Sequence, residues 1–255
     1  MSEQVWPSTL WIVRHGESAG NVARRVAEEA GHPVIDIATR DMDVPLSTLG
    51  VKQAVAVGHW FGALPEAEQP TVVITSPYLR ARETTEWLLG ASGVDRQALE
   101  LVTDERLRER EFGILDRLTW AGVRERYPDQ AEFQAALGKF YHRPPGGESW
   151  CDVILRLRSV VDTLSREYCE ERVLVVAHQA VILCFRYLLE HLTEERILEI
   201  DREHSLANCS VTTYTYDPGA AKKGRLALRS YNFVAPLAEA GAQITREPDV
   251  PVAPK

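Results

Sequence analysis

The stretch Leu10-Trp11-Ile12-Val13-Arg14-His15-Gly16-Glu17-Ser18 begins with four apolar residues and ends in polar ones. An apolar run this short is typical of a buried strand, because a helix needs a longer segment. A helical pattern follows from about Ser18 to Ala30. A strand that ends in polar residues and leads directly into a helix is the repeating unit of an α/β fold.

The same order of strand and helix recurs twice along the chain. Residues 71–75 predict a second buried strand, and Ser76 with Pro77 predicts the N-cap and first position of the next helix. Residues 173–177 predict the clearest strand, and the helix after it is apolar nearly all round, so it should be buried. Weaker strand patterns occupy residues 99–103, 210–216 and 226–233.

This alternation predicts a three-layer α/β/α sandwich around a mainly parallel, roughly six-stranded sheet. We expect residues 1–235 to form a single domain. Between about residues 104 and 148 the pattern is broken at Pro128 and Gly138, which predicts a small helical cap insertion. Alanine, proline, glycine and charged residues dominate residues 236–255, which predicts a disordered tail.

Composition excludes several classes of function. The formal net charge of −8 argues against a broad nucleic-acid-binding surface, which would show an excess of lysine and arginine. No run approaches the roughly 18 apolar residues of a membrane span, and the N-terminus resembles no secretory signal, so we expect no membrane partner and a cytoplasmic location. The four cysteines are far apart and form no Cys-x-x-Cys pair, so we expect reduced thiols and no metal site.

Polar residues end three of the predicted strands. Arg14 and His15 follow the first, Ser76 the second and His178 the third. In open α/β sheets ligands bind beyond the carboxyl ends of the strands, so these residues should meet in one crevice. Helix N-termini there would attract an anion, and Arg14 offers a planar fork of donors suited to phosphate oxygens. The charge of Arg14 also disfavours protonation of His15, which keeps its imidazole neutral and nucleophilic near neutral pH.

Each of these residues also has a plainer interpretation. An isolated Arg-His pair is most often a loop histidine beside a surface arginine, and a lone histidine such as His178 is more often a satisfied structural residue. Arg80 and Arg82 cannot share a helix face, so at most one of them points into the crevice. Residues 104–111 alternate acidic and basic side chains, which usually indicates a solvated surface. The functional interpretation therefore depends on these residues occurring together, and no single one of them is sufficient.

Six short blocks, taken in order, resemble the histidine phosphatase superfamily, the phosphoglycerate mutase-like group. The resemblance covers roughly residues 8–235. One block alone is moderate evidence, whereas six in the family's order form a specific pattern. The blocks are residues 14–18 with Asn21, 45–54, 76–82, 107–113, 145–149 and 175–178.

The resemblance implies a role for each site residue. His15 matches the histidine that becomes phosphorylated, Glu109 the acid/base glutamate, and His178 the second catalytic histidine. The phosphate-binding residues that it implies are Arg14, Asn21, Arg80 and Gln179. Arginine and histidine side chains take the part that Mg²⁺ plays in kinases, so the resemblance implies neither a metal nor another cofactor.

Within the superfamily, residues 177–181 and 139–149 most resemble the fructose-2,6-bisphosphatase branch. Leu183 stands where that branch carries arginine, and the segment before Lys139 lacks the arginine that helps to hold the sugar phosphate. These differences argue against fructose-2,6-bisphosphate as the substrate. Lys139 and Arg143 in the cap would still suit a second negative group on the substrate.

We therefore expect a metal-independent phosphatase that hydrolyses the phosphate monoester of a small metabolite through a phosphohistidine on His15. A phosphoglycerate-type mutase is an alternative that would use the same residues, although the cap does not obviously resemble the mutase version. A non-catalytic phosphate-binding protein is a second alternative, but binding alone needs neither a nucleophile nor a proton donor. The sequence leaves open the physiological substrate and whether the chain forms a homo-oligomer.

Overall fold

Six strands form one sheet in the computed structural model, which describes residues 5–203, 205–220 and 224–247. Their order across the sheet is β3-β2-β4-β1-β5-β6. The first four in this order are parallel neighbours, whereas β5 and β6 are antiparallel. This arrangement confirms the predicted α/β fold. The strands are β1 (Thr9–Arg14), β2 (Val72–Thr75), β3 (Glu100–Thr103), β4 (Arg172–Ala177), β5 (Val211–Asp217) and β6 (Arg225–Phe233).

Helices connect and cover the strands. Within the described ranges, none of them is both long enough and apolar enough to cross a membrane. Residues 104–148, predicted as a cap, contain α4, α5 and two 3-10 turns. The helices are α1 (Ala19–Glu29), α2 (Thr48–Gly62), α3 (Leu79–Ser92), α4 (Trp120–Arg126), α5 (Pro128–Tyr141), α6 (Trp150–Glu167), α7 (Gln179–Leu189), α8 (Glu194–Glu203) and α9 (Ala235–Glu239).

Alternate side chains of the strands enter two separate cores. Leu10 and Ile12 of β1 pack in a cluster with residues of α6 and α7. Trp11 and Val13 pack in a second cluster with residues of α2 and α3. Successive side chains of a strand point to opposite faces of the sheet, so a continuous apolar run is what a sheet covered on both faces requires.

Serine caps set the start of several helices. Ser149 Oγ accepts the backbone N–H of Asp152, and the Asp152 side chain accepts the backbone N–H of Ser149. This reciprocal pair satisfies two N–H groups that the first turn of α6 would otherwise leave without partners.

The predicted N-cap at Ser76 is wrong. α3 begins at Leu79, and Tyr78 precedes it without a side-chain cap. The Ser76 hydroxyl lies instead 2.8 Å from Nε2 of His178 at the end of β4. A local cap rule cannot foresee this, because the competing partner comes from a strand about a hundred residues away.

The predicted disordered tail is wrong for residues 236–247. Leu237 of α9 is buried in the core beside α2. Gln53 Nε2 donates to the carbonyl of Gln243 at 2.9 Å, and the backbone N–H of Asn208 donates to the carbonyl of Thr245 at 2.9 Å. Composition misleads here because these hydrogen bonds come from buried side chains and backbone far away in sequence. Residues 248–255 lie outside the described residues.

Candidate active site

The ends of β1 and β4 bring two histidines together. His15 follows β1 and His178 follows β4, and the two strands are parallel neighbours. Their ring centroids lie 5.2 Å apart, and both residues are fully buried. Parallel neighbours end at the same edge of a sheet, so this meeting follows from the strand order.

One hydrogen bond fixes the position of the proton on His15. Its Nδ1 lies 2.7 Å from the carbonyl oxygen of Gly16. A carbonyl oxygen can only accept, so Nδ1 carries the proton and Nε2 of the neutral ring carries the lone pair. The nitrogen that can act as a nucleophile is therefore Nε2.

Two glycines allow the loop after β1 to lie directly against α2. A Cβ on Gly16 would lie 2.5 Å from the carbonyl oxygen of Gly50, and a Cβ on Gly50 would lie 2.0 Å from that of Glu17. Such contacts exclude any side chain at either position. The backbone N–H of Gly16 also donates to Thr84 Oγ1 at 3.0 Å, which attaches the loop to α3.

The Asn21 side chain completes the N-terminal cap of α1, next to the loop that carries His15. Its Oδ1 accepts the backbone N–H of Ser18 at 3.0 Å and lies 3.4 Å from Nδ2 of Asn208. Asn208 Nδ2 also donates to the carbonyl of His15 at 3.2 Å, so it joins the cap to the loop. Because Oδ1 is committed to the cap, Nδ2 is the end of Asn21 that could donate to an anion.

Ser76 and Tyr78, which follow β2, hold His178 from two sides. Ser76 Oγ lies 2.8 Å from Nε2 of His178, and the Tyr78 ring centroid lies 5.2 Å from that of His178. Burial raises the pKa of the Tyr78 hydroxyl, and its hydrogen bond to Glu111 raises it further, so the phenol stays neutral. The sequence pattern predicts Ser76 at the site but not Tyr78, whose aromatic ring carries no motif signal of its own.

Arg14 is fully buried at the end of β1. Its guanidinium donates to the backbone carbonyls of Leu206 and Glu247. These contacts give Arg14 a fixed orientation next to His15. No sequence pattern indicates Glu247 as a partner of Arg14, because it belongs to the segment that composition predicts as disordered.

Arg80, the second residue of α3, is 2% exposed. Its Nη1 and Nη2 lie 3.1 and 3.2 Å from the two carboxylate oxygens of Asp41. The guanidinium carbon lies 5.0 Å from the centroid of the Tyr78 ring, which links Arg80 to His178. Arg82 is exposed, so the two arginines lie on different faces of α3, as the spacing along the helix requires.

Glu109 lies between two 3-10 turns and is 1% exposed. Its Oε1 accepts the backbone N–H of Arg110 at 2.8 Å. Two residues later, Glu111 Oε1 accepts the hydroxyl of Tyr78 at 2.6 Å. The segment that carries Glu109 is therefore attached to the ring that packs against His178.

Glu148 holds the same segment against α6. Its Oε1 accepts Arg108 Nη2 at 2.6 Å and Arg156 Nε at 3.0 Å. Its Oε2 accepts the backbone N–H of Glu111 at 3.2 Å. Arg156 Nη2 lies 3.4 Å from the backbone oxygen of Glu109, so the network reaches that residue itself.

Gln179 is the first residue of α7, directly after His178, and is half-buried. It lies at a helix N-terminus, where backbone N–H groups favour an anion.

The two cations of the predicted cap, Lys139 and Arg143, form ion pairs with acidic residues on other helices. Lys139 Nζ lies 2.5 Å from Oδ2 of Asp201, and Arg143 Nε lies 2.7 Å from Oδ2 of Asp152. The structure therefore gives no support to their predicted use for a second negative group.

Comparison with known proteins agrees with the resemblance seen in the sequence blocks. The sequence pattern of the histidine phosphatase superfamily, branch 1, matches residues 10–228. A 6-phosphofructo-2-kinase/fructose-2,6-bisphosphatase of Gallus gallus is 31% identical over 196 residues, which are 76% of this chain and 36% of that protein. The chain thus spans little more than a third of that relative. A 2,3-bisphosphoglycerate-dependent phosphoglycerate mutase 2 of Gloeobacter violaceus is 32% identical over 197 residues, which are 76% of this chain and 81% of that protein.

Among solved structures, a mycobacterial glucosyl-3-phosphoglycerate phosphatase complexed with VO3 is similar to this chain. The two are 26% identical with a TM-score of 0.65, and the match covers 89% of this chain and 100% of that one.

Proposed function

The chain belongs to the histidine phosphatase superfamily, and on that premise we propose that it hydrolyses phosphate monoesters of small metabolites through a phosphohistidine on His15. The observation that carries this proposal is the buried pair of histidines, 5.2 Å apart, in which Nε2 of His15 bears the lone pair. A buried imidazole with its lone pair held in one direction suits nucleophilic attack better than passive binding.

In the first step, Nε2 of His15 attacks the phosphorus in line with the ester oxygen. The N–P bond forms, the P–O bond to the alcohol breaks, and Glu109 gives its proton to the leaving oxygen. The proton on Nδ1 stays in place, held by the carbonyl of Gly16.

In the second step, Glu109 is a carboxylate and acts as a general base. It takes a proton from a water molecule whose oxygen attacks the phosphorus, and the N–P bond breaks. The products are inorganic phosphate, neutral His15 and protonated Glu109, so the enzyme returns to its starting state.

Fixed donors stabilise the charge of the transferring phosphoryl group in both steps. Arg14 and Arg80 supply positive charge, and His178 and Asn21 supply further hydrogen bonds. Gln179, at the N-terminus of α7, would hold the phosphate from the helix end. The burial of the two arginines, 0% and 2% exposed, supports this role, since a low local dielectric strengthens their effect on an anion.

A mutase is the second candidate, favoured by the similarity to a phosphoglycerate mutase. It would pass the phosphoryl group from His15 to a second hydroxyl instead of to water. A binding protein without activity would need neither the orientation of His15 nor the buried Glu109.

Parallel incubations separate these functions. The chain is mixed with 3-phosphoglycerate and, separately, with a panel of sugar phosphates and an aryl phosphate, while free phosphate and 2-phosphoglycerate are followed. We expect free phosphate from at least one ester, lost in His15→Ala and kept in His59→Ala, which alters an exposed histidine of α2. Accumulation of 2-phosphoglycerate without free phosphate would establish a mutase, and no turnover of any ester would favour the binding protein.

A further inference from the structure

A pocket lies beside the proposed phosphate site, and Arg80 and Asn21 belong to its wall. A phosphate held by these two residues would carry its alcohol into the neighbouring open space. The residues of this leaving-group pocket that are not assigned to phosphate include Arg24, Ile35, Ile37, Asp41, Asp116 and Arg117.

Asp41 belongs to the wall of the pocket and is partly exposed. Its side chain is 41% exposed, whereas the Arg80 side chain that it contacts is 3% exposed. Asp41 meets Arg80 end-on, with one carboxylate oxygen near each Nη, and its backbone oxygen accepts Nη1 at 2.7 Å. The carboxylate is therefore fixed directly beside the position assigned to the phosphate.

Asp116 adds a second carboxylate to the same pocket. Burial raises the pKa of Asp116, and the negative charge of Asp41 is the second cause. Both carboxylates line the pocket, and the charge of Asp41 acts on that of Asp116. An anionic group placed in the pocket would lie near both carboxylates.

Each arginine of the pocket contacts an acidic side chain or a backbone carbonyl. Arg80 is paired with Asp41, and Arg24 lies 3.7 Å from Glu28. Arg117 donates through Nη2 to the carbonyl of Thr39, and its charge acts on Asp116. With Glu28 counted, three arginines stand against three carboxylates, so a bound phosphate dianion would make this group of side chains net negative.

We propose that Asp41 selects the leaving group by charge, so that the protein prefers monophosphate esters of uncharged, hydroxyl-bearing alcohols over esters that carry a second anionic group. This proposal rests on the proposed phosphatase function. Carboxylate oxygens accept hydrogen bonds from hydroxyl groups, and Ile35 and Ile37 offer apolar contact to the carbon skeleton of the alcohol. A second phosphate or a carboxylate would instead face Asp41 and Asp116.

The test compares two esters that differ in one charged group. Glycerol 3-phosphate releases a neutral alcohol, whereas 3-phosphoglycerate releases one with a carboxylate; 4-hydroxymethylphenyl and 4-carboxyphenyl phosphate form the equivalent aryl pair. The measured quantity is the ratio of kcat/KM within a pair, from released phosphate. Intrinsic reactivity cancels when the ratio is compared between variants.

We expect the wild type to prefer the neutral member of each pair that it hydrolyses. Asp41→Asn should reduce that preference about three- to tenfold, which is the effect of one unit charge several ångströms away in a partly aqueous pocket. Asp43→Asn is the matched control, because Asp43 lies in the same turn but pairs with exposed Arg40, and it should leave the ratio unchanged.

The proposal is wrong if the wild type prefers the anionic members, or if Asp41→Asn slows both members equally. The second result would mean that Asp41 only orients Arg80. Failure of the proposed phosphatase function gives a distinct result, because the wild type would then release no phosphate from any of the four esters.

Discussion

At His15, a backbone carbonyl controls the reactive nitrogen. The Nδ1 proton is directed to the oxygen of Gly16, the next residue in the chain, so no distant side chain is required to orient it. The sequence could predict that His15 lies at a strand end beside an anion site. It could not predict which ring nitrogen carries the lone pair, because that depends on the turn that follows β1.

Glu109→Gln tests the proposed proton donor. A glutamine amide cannot protonate a departing alkoxide, so turnover of an alkyl phosphate should fall by about 10²–10⁴. A 4-nitrophenyl ester, whose leaving group needs little protonation, should be slowed much less. The measurement is kcat on both esters. Glu105→Gln, in the same segment but exposed, should change neither rate. Equal slowing of both esters by Glu109→Gln would remove Glu109 from the proton-transfer role.

We expect His142 to make the folding stability depend on pH. It is 3% exposed, and its Nε2 makes no hydrogen bond to any described residue. Burial lowers its pKa below the ordinary value of 6.5, and the charge of Arg110 lowers it further. As the pH falls through about 6.5, the unfolded chain binds this proton more readily than the folded one, so folding stability decreases.

His142→Gln should remove that part of the pH dependence. The free energy of unfolding in urea, measured at about pH 7.5 and about pH 5.5, should fall less for the variant than for the wild type. The same fall in both proteins would show that His142 does not contribute.

At the scale of elements, parallel strands explain why residues far apart in sequence meet. The strand runs and their polar ends could be predicted, and with them the positions of His15, Ser76 and His178. The start of α3 could not, because the Ser76 hydroxyl contacts His178 instead of capping the helix. The contact between Arg80 and Asp41 also lay beyond prediction, since Asp41 belongs to an irregular segment whose path depends on the folded domain.

Glu148→Gln tests the network that holds the Glu109 segment against α6. Its carboxylate is largely buried, at 12% exposure, and accepts hydrogen bonds from Arg108 and Arg156. Loss of the charge should reduce the free energy of unfolding by about 2–3 kcal/mol, somewhat less than for a fully buried pair because Arg108 is partly exposed. The measurement is urea unfolding.

A surface ion pair provides the control for that network. Glu86 and Arg96 are 56% and 47% exposed, so Glu86→Gln should change stability by less than about 1 kcal/mol. If Glu148→Gln lowered the free energy of unfolding as little as Glu86→Gln does, the network would not hold the Glu109 segment.

At the scale of the whole molecule, the segment after α9 connects the core beside α2 and α3 to Arg14 at the end of β1. Arg14, Gln53 and Asn208 are fully buried, and each makes a hydrogen bond to residues 243–247. Composition alone predicts disorder for this segment, because it contains few residues that form a core by themselves. The segment is ordered by donors from three distant parts of the chain.

Truncation tests this connection. Removal of residues 240–255 should lower the free energy of unfolding by at least about 2 kcal/mol, because buried donors lose their acceptors. It should also weaken the affinity for inorganic phosphate, since Arg14 loses one of the carbonyls that orient it. Removal of residues 248–255 retains these contacts and serves as the control. Equal stability of the two truncated proteins would contradict the account.

The central claim is a covalent phosphohistidine on His15, and trapping it is the most direct test. The protein is mixed with a ³²P-labelled ester that it hydrolyses and is quenched within one turnover. We predict a label that is lost in acid and kept in alkali, located on the peptide that contains His15 and absent from His15→Ala. Turnover without such a label, or a label that persists in His15→Ala, would contradict the mechanism.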